Sequence, residues 1–215
     1  MNSNKDQILS RKDNFIGWMI INNPERRNAI SFAMREQMTR VFEEFDNDPQ
    51  VRVMIIRGSG GKAFISGADI SEFKNIRNNF DAEKLYAKAS EKMTDAMIAF
   101  KKPIIAMIEG YCVGGGVATA IGADIRVASE NTKYGIPAGR LGLAYGFDNL
   151  RQLVDLVGPA NAKMILFSAD MFDASKALQI GLVNNVVPQD ELESTVLELA
   201  NKIANQAAIK VCDSK

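Results

Sequence analysis

Ile104-Ile105-Ala106-Met107-Ile108, then Glu109-Gly110-Tyr111-Cys112-Val113-Gly114-Gly115-Gly116 and the run from Val117 to Ala123, form the stretch that decides the fold. Five consecutive apolar residues without polar alternation suit a strand buried on both faces. Gly114 to Ala123 is small and apolar, which predicts a buried helix opened by glycines. Ile125-Arg126-Val127-Ala128 supplies the next short strand. Strand, glycine turn, helix and strand make the unit of an α/β fold with a largely parallel sheet.

The same alternation extends in both directions. Phe15 to Ile21 is short and rich in β-formers, and Asn22-Asn23-Pro24 ends it as a turn. Met34, Met38, Val41, Phe42 and Phe45 then share one helical face behind Ser31, a plausible N-cap, with Pro49 marking the end. Val51 to Ile56 predicts a strand running into Gly58-Ser59-Gly60-Gly61. Asp81 to about Phe100 keeps helical spacing, closed by Pro103. Further helices are expected at Asn149–Leu156, Pro159–Phe167, Ala174–Ile180 and Glu191–Ile203, with a strand at Val183–Val187. The polar stretch from Asn75 to Asp81 is read as a surface loop. No repeat, low-complexity tract or linker divides the 215 residues, which fit one domain.

Composition narrows the chemistry. The chain has no histidine, which removes Ser-His-Asp and Cys-His triads, His-containing zinc sites and imidazole acids or bases. Lys and Arg number 26 against 26 Asp and Glu, so the chain as a whole has no positive surplus to attract nucleic acid. Cys112 and Cys212, a hundred residues apart, do not make a disulfide scaffold or a Cys-rich metal site. The N-terminal residues lack the apolar core of a signal peptide, and no apolar run reaches the roughly 20 residues of a membrane span. The expectation is a soluble, cytoplasmic protein with no metal.

Glycines after strands invite a nucleotide-binding reading, which the spacing refuses. A P-loop needs Gly six residues before its Lys and Ser or Thr after it; Gly61-Lys62 has Ile56 and Ala63 at those places. A dinucleotide fingerprint starting at Gly114 and Gly116 needs Gly where Thr119 stands. Two turns remain, Phe64-Ile65-Ser66-Gly67-Ala68-Asp69-Ile70 and Glu109 to Val117. Their glycines serve either close helix packing or the approach of a ligand to unpartnered N–H groups at a helix start.

Asn23-Pro24-Glu25-Arg26-Arg27-Asn28-Ala29, Ala63 to Ile70, Gly110 to Gly116, and Tyr134-Gly135-Ile136-Pro137 with Leu141-Gly142-Leu143 occur in that order. Ala177-Leu178-Gln179-Ile180-Gly181-Leu182-Val183 follows them. Together they resemble the enoyl-CoA hydratase/isomerase (crotonase) superfamily, from about residue 15 to 205. The resemblance implies a spiral core of (ββα) repeats over about residues 1–190. Residues 191–215 would begin a helical C-terminal part, cut short where relatives continue past Ile209-Lys210-Val211. It also implies a homotrimer or hexamer and a place in fatty acid metabolism.

By the same resemblance, the N–H groups of Ala68 and Gly115 polarise the carbonyl of an acyl-CoA thioester, a suitable device for enolate formation. Ser66, Ala68, Asp69, Ile70 and Ser71 match the stretch lining the CoA channel. Arg26 and Arg27 are either partners of CoA phosphates or a solvated charged turn. Family hydratases carry two glutamates where this chain has Ala118 and Ala138. Tyr145 and Asp148 are the candidate replacements. Tyr145 is alternatively a core aromatic and Asp148 a helix cap. Cys112 reads as a buried apolar residue.

The expected function is therefore acyl-CoA binding in an enoyl-CoA hydratase/isomerase-family lyase or isomerase that hydrates poorly, with no cofactor beyond the coenzyme A of its substrate. Thioester decarboxylation or hydrolysis is the second enzymatic reading. A non-catalytic acyl-CoA-binding subunit is the rival from another class.

Overall fold

The computed structural model describes residues 7–69, 71–72, 80–141 and 145–206. Ten strands form two sheets among these residues. The larger sheet contains β1 (Ile8–Asp13), β2 (Ile16–Ile21), β3 (Val53–Gly58), β5 (Ile104–Ile108), β7 (Ile125–Ser129) and β10 (Asn185–Val187), side by side in that order. The smaller one orders β4 (Ala63–Ile65), β6 (Tyr111–Val113), β8 (Lys133–Gly135) and β9 (Phe172–Asp173). The helices are α1 (Phe32–Asn47), α2 (Phe80–Ala99), α3 (Gly115–Gly122), α4 (Phe147–Ser168), α5 (Ala174–Gln179) and α6 (Leu192–Ala204).

This is the expected α/β spiral. β3-β4-α2, β5-β6-α3 and β7-β8-α4 are successive turns, each placing one strand in the large sheet, the next in the small sheet, and then a helix. From β2 onward the large-sheet pairs are parallel, as are β4 with β6 and β6 with β8. Only β1 with β2 and β8 with β9 are antiparallel.

The central strands are buried on both faces, as their uninterrupted apolar runs predict. Met54, Ile56, Ile104, Ala106 and Ile108 face the main core with α1 and α2 residues such as Phe42, Phe45, Met97 and Phe100. The alternate residues Val53, Ile55, Ile105, Met107 and Val127 face a second core, which α6 closes with Leu192, Val196, Ala200 and Ala204. That i, i+4 spacing is what lets a short helix cover a sheet face.

Ser31 is the N-cap of α1, its hydroxyl accepting from the Met34 N–H at 3.2 Å. The two helices expected between Asn149 and Phe167 are present as the two segments of α4, separated at Gly158, whose φ of 77° lies outside helical space, with Pro159 starting the second segment. Among the described residues, no helix is long and apolar enough to cross a membrane.

Candidate functional site

The site is built where the turn after β2 meets the two glycine turns. Asn28 holds that junction from within. It is fully buried at a left-handed φ of 57°, a region Asn tolerates. Its Oδ1 accepts from the Asn23 N–H at 2.9 Å, while Nδ2 donates to the carbonyls of Ala63 at 2.6 Å and Ser59 at 3.0 Å. The Ser66 N–H donates to Arg27 O, Ile30 N–H to Gly67 O, and Asp69 N–H to Ile30 O. Ile30 and Ala68 thus form an isolated parallel bridge. Because the bridge uses the Asp69 N–H and the Gly67 carbonyl, the Ala68 N–H points to the opposite side.

On that side lies the start of α3. Three adjacent glycines have three different reasons. Gly114 has a φ of 54° and donates to Gly135 O at 2.8 Å. At Gly116 a Cβ would lie 2.1 Å from the Ile65 carbonyl oxygen, so the helix rests directly on β4. At Gly115 a Cβ would stand 3.8 Å from the Ala68 nitrogen and meet nothing closer. Of the two readings of these glycines, packing is seen at Gly116, while at Gly115 no close contact demands a glycine. Neither the Ala68 nor the Gly115 N–H makes a hydrogen bond among the described residues. The first intrahelical bond runs from the Ala118 N–H to Gly114 O, so the Gly115 N–H is one of the helix's unpartnered donors.

Gly67, Gly115 and Ala118 border a cleft of about 150 Å³. Ile30, Met93, Met97 and Ile98 give it an apolar wall, and Ser90, Thr94 and Thr119 add hydroxyls. Three further polar side chains line it, Arg35 from α1 and Asn149 and Gln152 from α4. The latter three were not singled out from sequence. A signal existed for Arg35: it falls three residues before Met38 and seven before Phe42, on the core-facing stripe of α1, where a charge is out of place.

Three residues of the expected channel stretch, Ser66, Asp69 and Ser71, meet Arg26. Arg26 Nη1 lies 2.6 Å from Asp69 Oδ2 and donates to Ser71 Oγ at 2.7 Å. Ser66 Oγ donates to Arg26 O at 3.3 Å. The Arg27 guanidinium sits 5.1 Å over the Tyr111 ring. Burial alone would raise the Asp69 carboxyl, but hydrogen bonds from the Ser71 O–H and N–H and the Arg26 guanidinium outweigh it and hold it below its ordinary value. The expected residue Ile70 lies outside the described residues, as do Gly142 and Leu143.

The candidate acids sit elsewhere. Tyr145 packs against the main core, its hydroxyl buried and without a hydrogen bond to any described residue, and burial drives its ionisation well above the usual phenol range. Asp148 is exposed in the first turn of α4. The expectation that it caps the helix is corrected, because Gly146 holds the N-cap position and the helix begins one residue before Asp148. Neither residue lines the cleft. Ala118 does, whereas Ala138 is half-buried against the main core in the turn Pro137–Leu141. Cys112 is buried as an apolar residue, and burial raises its thiol far above its ordinary value.

Comparison with known proteins agrees with the fold. Residues 11–214 match the family model described as enoyl-CoA hydratase/isomerase. A short-chain-enoyl-CoA hydratase of Clostridium acetobutylicum is 37% identical over 210 residues, covering 98% of this chain and 80% of the relative. A crotonyl-CoA hydratase of Syntrophomonas wolfei is 34% identical over 210 residues, with the same coverage of 98% and 80%. The solved structure of an enoyl-CoA hydratase/carnithine racemase from Magnetospirillum magneticum superposes with a TM-score of 0.93 at 35% identity, covering 97% of this chain and 78% of that one.

Proposed function

Because the chain belongs to the enoyl-CoA hydratase/isomerase family, we propose that it binds an acyl-CoA thioester across the two glycine turns and acts on it as a lyase or isomerase with weak hydratase power. The thioester carbonyl oxygen takes the N–H groups of Ala68 and Gly115. One observation carries this reading: Gly115 stands beside the Ala68 nitrogen, where an added Cβ would lie 3.8 Å from it, at the edge of a cleft, and neither N–H donates to a described residue. Two such donors on one oxygen would stabilise the negative charge that develops there. Gly115 opens α3, so the positive end of the helix dipole acts on the same point. Arg26 and Arg27, at the rim, meet the CoA phosphates, and the cleft receives a short acyl chain.

The weak point is proton transfer. Adding water across a conjugated double bond needs a base for the water and an acid for the α carbon. The methyl groups at Ala118 and Ala138, in place of the family's two glutamates, supply neither. Tyr145 is the remaining candidate as a donor, because its burial keeps the O–H protonated. Among the described lining residues there is no Asp, Glu, Cys or Tyr, which favours a non-catalytic acyl-CoA-binding subunit as the second reading. The expected cytoplasmic homotrimer or hexamer is part of the same proposal. It is supported by large apolar side chains exposed on α4, Phe147 at 77% and Phe167 at 82%.

Crotonyl-CoA hydration, followed as loss of the conjugated-thioester absorbance, tests the assignment. The rate should fall roughly 10³ or more below that of a two-glutamate hydratase, given what general acid–base assistance is usually worth. Restoring both carboxylates as Ala118→Glu and Ala138→Glu should raise it. Wild-type hydration as fast as a two-glutamate enzyme would refute the reading.

A further inference from the structure

The cleft beside Ala68 and Gly115 carries hydrogen-bonding groups that a hydrocarbon chain cannot use. The first turns of α4 divide their polar side chains between two faces. Asp148, Arg151 and Asp155 are exposed, whereas Asn149 and Gln152 are half-buried and line the cleft. Three residues apart on a helix, these two bring their amides to the same side. Other polar side chains of the lining are engaged with the protein itself. The Arg35 guanidinium donates to Ile30 O at 3.1 Å and Ser31 O at 3.0 Å, and the Thr94 and Thr119 hydroxyls donate to Ser90 O and Gly115 O, both at 3.0 Å. Asn149 and Gln152, by contrast, make no side-chain hydrogen bond to a described residue.

We infer that Asn149 and Gln152 make this chain selective for acyl-CoA thioesters whose acyl group bears an uncharged oxygen of its own, a hydroxyl or a keto group. Their amides hydrogen-bond that oxygen while the Ala68 and Gly115 N–H groups hold the thioester carbonyl. The inference rests on the acyl-CoA reading of the same cleft and adds the class of acyl group. An amide is uncharged and offers both N–H donors and a carbonyl acceptor, so the pair matches a neutral oxygen whether that oxygen gives or takes the hydrogen bond. A hydrocarbon chain, saturated or unsaturated, shields the amides from solvent and returns no hydrogen bond, so it binds less well. Ala118, in the same lining, has only a methyl group to offer such an oxygen, and its partners come from α4 instead. The amides select and orient the acyl group without supplying an acid or a base.

Selection has to be separated from support of the helix. Gly146 holds the N-cap of α4, and no side-chain cap hydrogen bond is made there. Exchanging Asn149 and Gln152 for apolar side chains of similar size therefore removes the amides without removing a hydrogen bond between described residues. A loss of support would weaken every ester alike. A loss of selection weakens the oxygenated esters while hydrocarbon esters bind as well as before or better.

Calorimetry with esters of equal chain length tests the inference: 3-hydroxybutyryl-CoA in each enantiomer, 4-hydroxybutyryl-CoA and acetoacetyl-CoA against butyryl-CoA and crotonyl-CoA, with free CoA as reference. At least one oxygenated ester should bind about tenfold or more tightly than both hydrocarbon esters, and which one does so places the oxygen along the chain. The double variant Asn149→Leu/Gln152→Met should cut that preference about fivefold or more, with butyryl-CoA binding at least as tightly as it does to the wild type. If esters bind but no oxygenated one reaches that preference in the wild type, the inference is overturned and the acyl-CoA reading stands. A preference untouched in the double variant, or an equal loss of every ester, also overturns it. If no ester binds better than free CoA, the acyl-CoA reading falls and takes the inference with it. Should the double variant fail to fold, Asn149→Leu and Gln152→Met are read singly by the same criteria.

Discussion

Gly115→Ala is the most informative single change, because the structure separates its effect on the site from any effect on the fold. The new methyl would stand 3.8 Å from the Ala68 nitrogen, ordinary van der Waals contact, and Gly115 is not in the left-handed region. Folding should therefore be unharmed or helped by about 0.4–1 kcal/mol through the restricted unfolded chain. The methyl nevertheless occupies the space beside the Ala68 N–H where the proposed carbonyl oxygen sits. Loss of one such donor typically costs about 10²–10³ in turnover, and about 1 kcal/mol, near fivefold, in ground-state affinity for a neutral carbonyl. The neighbouring Gly116→Ala should show the reverse. Its methyl would fall 2.1 Å from Ile65 O, and the backbone displacement that relieves this costs roughly 1–3 kcal/mol. For a chain of this size that lowers the melting temperature by roughly 2–12 °C. Thermal melts paired with calorimetry of acetoacetyl-CoA and free CoA read both effects. Gly115→Ala should keep its melting temperature and its affinity for free CoA while losing affinity for the acyl ester. Unchanged acyl-CoA binding and turnover in a folded Gly115→Ala protein would place the donors elsewhere.

Tyr145→Phe removes a buried hydroxyl that has no partner among the described residues, so the melting temperature should hold or rise, since such a group costs about 1–3 kcal/mol while unsatisfied. If Tyr145 supplies the proton, turnover of the true substrate is abolished with affinity nearly unchanged; equal turnover excludes that role. For the pair Arg26 and Asp69, the folded Asp69 carboxyl lies below its unfolded value of 3.8, so its stabilisation is present above that pH and disappears as pH falls through the folded value. Arg26 is largely exposed, so Arg26→Ala should cost at most about 1 kcal/mol near pH 7. That difference in urea midpoint should shrink below about pH 3.8, and a difference that grows in acid would contradict the pairing.

Much of the fold was legible because its signals are local and long enough to repeat. The doubly buried runs at Val53–Gly58 and Ile104–Ile108, the Ser31 cap and the amphipathic stripe of α1 need no knowledge of what they pack against. The same holds for the chemistry excluded by the absence of histidine and for the ordered glycine motifs that identify the family. The small sheet was not legible. β4, β6 and β8 are three residues each, too short to show a period, and exist only because the spiral stacks them at the same height. β1 is exposed after Ile8 and polar after Leu9, an edge strand defined by its partner β2. At the site, sequence placed Ala68 and Gly115 in glycine turns, but their separation depends on Ile30 bridging to Ala68 and on Gly116 lying against Ile65. Whether Asp148 or Asn149 faces the cleft depends on where α4 begins, since one residue of helix turns a side chain by about 100°. Sequence determined which segments pair, pack and turn, because those choices are made within a few residues. Only the tertiary structure decided which N–H groups and side chains share a cleft, because that follows from contacts between residues tens of positions apart.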